Sequence, residues 1–314
     1  MKPLIIGSRG SRLALHQSRF LQQALQRYHP ELEVTIEVIR TTGDKMSRTA
    51  LSQLATSVKG LFVKEIEEAL LQKEIDLAVH SLKDLPTELP DGLDLASIPE
   101  REDARDALIT TSTRIASLEE IPDGSKLGTG SLRRQVQLEH LRPDLQISPI
   151  RGNVDTRIRK IQERGLDGIV LAAAGLRRLG LQEEISYSFS LEEMVPAVGQ
   201  GALGMEIRTD DEATRQIVAS LDHSETRTCA LAERRFLHAM GGGCQVPLGA
   251  HAQIANDNAT FTAFVGSPTT GEALRKESSG HPQELEQLAL ASAEFLLSHG
   301  ADKILKELES QPSS

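Results

Sequence analysis

A thiol inside a run of glycines is the first feature of this sequence that could do chemistry. Cys244 lies in Gly241-Gly242-Gly243-Cys244-Gln245-Val246-Pro247. Consecutive glycines carry no side chains to pack and leave the backbone open to close approach, so the reading is of an accessible thiol open to modification. Cys229, in a helical run with Ala230, Leu231 and Ala232, is expected to be inert core packing. Two cysteines without a paired spacing predict neither a disulfide framework nor a zinc site. The nine histidines show no metal-ligand spacing, so no metal is expected. A second candidate is Lys83-Asp84, which closes the apolar run Ile75 to Val79 through His80-Ser81-Leu82. A carboxylate at a strand end can shuttle a proton or stabilise a cationic intermediate. The same aspartate ahead of Leu85-Pro86 also reads as a turn former.

Three segments bring arginines to helix starts and strand ends. Gly128-Thr129-Gly130-Ser131-Leu132-Arg133-Arg134 runs from a strand into a helix, where free N–H groups and the helix dipole favour an anion. A dinucleotide fingerprint would need glycine at Arg133, and a phosphate-binding loop would need Gly-Lys-Ser/Thr; neither is met. Arg151-Gly152-Asn153-Val154-Asp155-Thr156-Arg157 repeats the theme, and Arg177-Arg178 follows the next strand. Arginine's planar fork grips carboxylates with two hydrogen bonds, so successive cationic strand ends predict a small ligand with many carboxylates. The plainer reading of each segment is a tight turn with solvated arginines.

These groups need a scaffold. Leu4 to Ile6, a helix from about Ser11 to Tyr28 and Val34 to Ile39 read as a β-α-β opening. Arg40 to Lys59 has no period and is expected to be a mobile loop before a helix at Leu61 to Gln72. The alternation recurs from Lys126 to Leu179, with strands at Leu145 to Ile147 and Ile169 to Ala172. Glu100 to Asp106 and Pro196 to Gly201 bracket this second unit as hinges. Beyond Asp222 come a helix to Met240, strands at Ala250 to Ile254, Thr260 to Val265 and Ala273 to Ser278, and a helix from Pro282 to His299. The fold class is therefore α/β in three domains: 1–101 plus 202–219, 107–195, and a small α+β domain at 222–314. A chain of 314 residues with 39% hydrophobic and 25% charged residues has enough apolar surface for such cores. Its formal net charge of −10 argues against nucleic acid or an anionic membrane as partner. No apolar run reaches membrane-spanning length, and the start lacks a signal-peptide pattern, so a cytoplasmic protein is expected.

Taken together, Ser8 to Ala14, Lys59 to Glu65, His80 to Pro86, Gly128 to Arg134, Arg151-Gly152-Asn153, Pro196 to Gly201 and Gly242 to Pro247 resemble the hydroxymethylbilane synthase, or porphobilinogen deaminase, family. Their order and spacing carry the resemblance over nearly the whole chain. It implies two domains like the lobes of type II periplasmic binding proteins, a third small domain, and a dipyrromethane cofactor joined by thioether to Cys244. It further implies stepwise condensation of four porphobilinogens with loss of ammonia, then hydrolytic release of hydroxymethylbilane. By the resemblance, Asp84 assists loss of the amino group and stabilises positive charge on the pyrroles. Arg9, Arg133, Arg134, Arg151, Arg157 and Arg178 would neutralise acetate and propionate groups, Lys83, Ser11, Thr129 and Ser131 would bind cofactor or substrate, and Phe62 would stack near the ring. Gly130 stands where many members carry serine, and Arg12 replaces a commoner proline or lysine. A monomer is expected. The rival from another class is a two-lobed binding protein for a small polycarboxylate, which would need neither Asp84 nor an accessible Cys244.

Overall fold

The computed structural model describes residues 3–41, 63–111, 114–241 and 246–310. The expected loop at Arg40 to Lys59 falls almost wholly outside them, as do Phe62 and Cys244. Contacts divide the chain into one unit of residues 1–101, 202–227 and 311–314 and another of 102–201 and 228–310.

In the first unit, strand β1 (Leu4–Arg9), helix α1 (Arg12–Tyr28) and strand β2 (Val34–Ile39) form the expected opening. Helix α2 (Lys64–Leu71), strand β3 (Leu77–Ser81) and strand β4 (Leu93–Ser97) follow. Later in the chain come β10 (Leu203–Arg208) and a helix at Glu212–Ala219. The sheet order is β2-β1-β3-β10-β4, with β1 parallel to β2 and β3, and β10 antiparallel to β3 and β4. One face buries Ile6, Leu77 and Met205 under Leu21 and Leu25 of α1, and the other buries Ala78 and Leu93 under Ile66 and Leu70 of α2. Covering both faces explains why these strands read as unbroken apolar runs.

The second unit begins with strand β5 (Asp106–Thr110), β6 (Lys126–Thr129) and helix α3 (Leu132–Leu141). Strand β7 (Gln146–Pro149), α4 (Val154–Glu163), β8 (Gly168–Ala172), α5 (Ala173–Arg178) and β9 (Tyr187–Ser188) complete its first sheet. The order β7-β6-β8-β5-β9 repeats that of the first sheet: second strand, first, third, then an antiparallel strand and a last one. The antiparallel member is the returning β10 in one unit and the entering β5 in the other. Hence Asp106, expected at the end of a hinge, opens a buried strand instead. The strand expected at Ile75 to Val79 sits two residues later, at Leu77–Ser81, with Asp76 pairing to Ile5 through both its amide (to Ile5 O at 2.9 Å) and its carboxylate (from Ile5 N at 3.0 Å).

The third sheet, also in the second unit, is an antiparallel meander of β11 (Leu248–Ala255), β12 (Asn258–Gly266) and β13 (Ala273–Gly280). Asn256 and Asp257 turn the first hairpin with φ of 50° and 60°, the left-handed pair that a two-residue hairpin requires. Its inner face packs Phe261, Ala263 and Val265 on Phe236 of the long helix Ser224–Ala239 and on Leu285, Ala289 and Leu296 of Leu285–Leu296. The last helix, expected to end near His299, kinks at Gly300 (φ 112°) and resumes as Asp302–Ser310.

Candidate active site

In the first unit the candidates gather at the carboxyl ends of β1 and β3, where open α/β sheets place ligands. Arg9 ends β1, and Ser11 caps α1 by accepting the Ala14 amide at 3.2 Å. Gln17 of α1 donates to Ser81 at the end of β3 at 3.0 Å, tying the helix to the second strand end. Lys83 and Asp84 occupy the 3₁₀ turn Leu82–Asp84 that follows β3. Buried Leu82 and Leu85 flank an exposed Asp84. The Leu82 amide donates to Ala202 O at 3.0 Å and the Leu85 amide closes the turn on Leu82 O at 3.2 Å. Backbone and core therefore present the carboxylate.

In the second unit the parallel strands β6, β7 and β8 end in Thr129, the Arg151 loop and the α5 segment that carries Arg178. Thr129 Oγ1 accepts the Ser131 amide at 3.2 Å. Ser131 caps α3 without a side-chain hydrogen bond to it. A Cβ at Gly130 would lie 2.5 Å from Ile150 O, so its missing side chain lets the β6 turn and the end of β7 meet. Arg151 is exposed. Gly152 holds φ of 124°, and its carbonyl accepts Arg157 Nε at 2.7 Å, while buried Lys160 donates to Arg151 O at 2.6 Å. Arg178 donates to Gly201 O at 2.7 Å, and burial pushes its guanidinium down to about 10, with Glu102 opposing the shift.

Arg133 and Arg134, expected from the sequence to neutralise ligand carboxylates, are buried here at 3% and 5% exposed. Each meets Asp106 at 2.7 Å. Arg133 also donates to Val195 O at 2.5 Å and Arg134 to Val170 O at 3.0 Å. Burial opposes charge on Asp106, yet the two guanidiniums hold its carboxyl far below the usual carboxylate range, while burial lowers Arg133. Two cations on one carboxylate leave a net positive charge under the first turn of α3, and Arg133 Nε is buried without a hydrogen-bond partner. The sequence reading missed Asp106, Lys160 and Gln200, whose amide donates to Ala104 O and Asp106 at 2.8 and 2.9 Å. The one available signal was Asp106 directly before the apolar Ala107-Leu108-Ile109.

The second unit's strand ends thus combine a buried net positive charge with an exposed arginine on a glycine turn, a donor set suited to an anion. The fold is α/β, with two open sheet-containing domains and a small third domain on an antiparallel sheet. The family model for "Porphobilinogen deaminase, dipyromethane cofactor binding domain" matches residues 4–216, and that for "Porphobilinogen deaminase, C-terminal domain" matches 227–298. Curated relatives named porphobilinogen deaminase include that of Syntrophotalea carbinolica, 48% identical over 99% of this chain and 97% of the relative. That of Geobacter metallireducens is 48% identical over 98% and 95%. The chain belongs to the porphobilinogen deaminase family. Among solved structures, the periplasmic aliphatic sulphonate binding protein from Escherichia coli matches with a TM-score of 0.40 and 12% identity, covering 95% of this chain and 88% of that one. Among the described residues no helix is long and apolar enough to cross a membrane.

Proposed function

We propose that the chain is a hydroxymethylbilane synthase in which Asp84 acts on the reacting pyrroles and Cys244 tethers the dipyrromethane. The activity follows from the family, which also supplies the cofactor: bound, it would serve as the primer whose terminal pyrrole carbon takes the first of four porphobilinogens, each later one joining the ring before it, until water releases the product. Three domains at 1–101 plus 202–219, 107–195 and 222–314, a monomer and a cytoplasmic location belong to the same reading.

The observation that carries the residue roles is Asp84, an exposed carboxylate on a turn held by buried neighbours. Asp84, as a carboxylate, offsets the positive charge that develops on the ring as the protonated amino group leaves as ammonia, and takes up the proton that the acceptor carbon loses on coupling. Lys83, Arg9 and Ser11 stand on the same strand ends and bind carboxylates of the incoming pyrrole, with Phe62 beside the ring. In the second unit Thr129, Ser131, Arg151, Arg157 and Arg178 hold acetate and propionate groups. Arg133 and Arg134, locked on Asp106, add long-range positive potential and the unpartnered Arg133 Nε rather than a free fork.

Denatured intact mass, taken before and after adding porphobilinogen, tests the reading. A dipyrrole excess mapped to Cys244 that grows by pyrrole units supports it. A bare-sequence mass that substrate leaves unchanged points instead to a binding protein that kept the fold.

A further inference from the structure

Beneath α2, three side chains that the proposed chemistry does not use meet in the interior of the first unit. His80 lies on β3, four residues before Asp84, and its Nε2 is 2.9 Å from Glu206 Oε2 on β10. His80 pairs across the ladder with Gly204 and Glu206 with Ala78, so the contact is a diagonal brace between the strands that frame the catalytic turn. Glu67 of α2, 8% exposed, faces the same place. Oε1 of Glu67 and Oε1 of Glu206 are both buried without a hydrogen-bond partner. A buried carboxylate oxygen that accepts nothing is costly, and a protonated carboxyl much less so.

We infer that His80, Glu206 and Glu67 form a buried positioning group that holds the Lys83–Asp84 turn against β10, and that it holds the turn best while Glu67 carries a proton. Ionised Glu67 would set a second negative charge beside Glu206 in the interior, with one imidazole to balance both, and would strain the brace. Burial and Glu206 push Glu67 up to about 7, with His80 opposing and Glu68 adding. The other charged groups on the elements α2 packs against are committed elsewhere or lie at strand ends. Arg208 of β10 is spent on Asp76, Asp211 and the Leu70 and Ile75 carbonyls, and Asp94 of β4 pairs with Arg215. Arg9 ends β1, and Lys64 and Glu65 start α2.

The test compares cofactor-loaded Glu67→Gln with the parent. Its kcat relative to the parent is expected to rise about threefold or more between about pH 6 and about pH 8.5, with relative KM within about twofold. The parent should show a protonated-carboxyl infrared band near neutral pH that Glu67→Gln lacks. In a Glu206→Gln background the kcat inflection should move to lower pH, since the largest neighbouring charge is gone. A flat kcat ratio, or a parent spectrum without that band, overturns the inference. It rests on the assignment of Asp84, and the two failures separate. A parent that makes no product sinks the functional reading, and hydrogen exchange at the Leu82 and Leu85 amides then decides the inference. Protection lost with rising pH in the parent but kept in Glu67→Gln supports it; identical profiles overturn it.

Discussion

Asp84 contributes nothing to the core that presents it: Leu82 and Leu85, 1% and 2% exposed, anchor the turn, and the carboxylate stands in solvent. Asp84→Asn should therefore melt within about 0.5 kcal/mol of the parent yet lose about 10²–10⁴ in kcat, the usual worth of a positioned proton-transfer group. Near-normal turnover with intact cofactor would remove Asp84 from the mechanism. Gly130 poses the opposite case. Serine at this position would bring a Cβ to 2.5 Å from the Ile150 carbonyl, so a hydroxyl cannot enter here without moving the start of the Arg151 loop. Gly130→Ser is expected to destabilise by about 1–3 kcal/mol and to raise KM rather than restore a contact. Thermal unfolding and steady-state kinetics together check this, and a neutral substitution would mean the loop yields freely.

At the level of elements, α3 is fastened to β5 by charge as well as by packing. Asp106, Arg133 and Arg134 form one buried set, and Gln137 adds a two-way clasp on Val195, accepting its amide at 2.7 Å and donating to its carbonyl at 3.2 Å. Breaking a buried pair strands an uncompensated charge, typically at a cost of about 3–5 kcal/mol. Asp106→Asn leaves two guanidiniums against a neutral amide, so a loss of that order in the second unit is expected, measurable as a lower urea midpoint; a loss below about 1 kcal/mol would mean that the arginines find other acceptors. This set also marks the limit of sequence reading. Helix α1, strand β2 and the meander at the end of the chain were legible because apolar period and turn residues are local signals. The strand-end location of Asp84, Thr129 and Arg151 was legible for the same reason. Asp106 looked like hinge charge because its partners lie 27 and 28 residues away (133 − 106, 134 − 106), and strand β4 carries too little pattern to stand out. Arginine beside a glycine turn suits a ligand or a buried aspartate equally, and only packing distinguishes them.

Over the whole molecule, two compact units mean that no single unfolding free energy need describe the chain, and their titrations differ. The carboxyl of Asp106, in the second unit, is held low by its arginines against burial. It contributes stability present above its unfolded pKa and lost only as acid reaches its depressed folded value, far below neutrality. Glu67, in the first unit, is raised from 4.5 to about 7, mainly by burial and then by Glu206. The folded unit therefore binds this proton more tightly than the unfolded chain. Its stability contribution is complete below about pH 4.5 and is lost as pH rises through about 7. At about 1.4 kcal/mol per unit, the loss stays below an upper bound of about 3.5 kcal/mol. Between these limits the first unit should weaken relative to the second as pH rises. Calorimetry across about pH 5 to pH 8 should show one transition sliding to lower temperature while the other holds, and Glu67→Gln should hold both in place. Two transitions that move together in the variant as in the parent would locate the titrating group elsewhere and detach the Asp84 turn from the proton at Glu67.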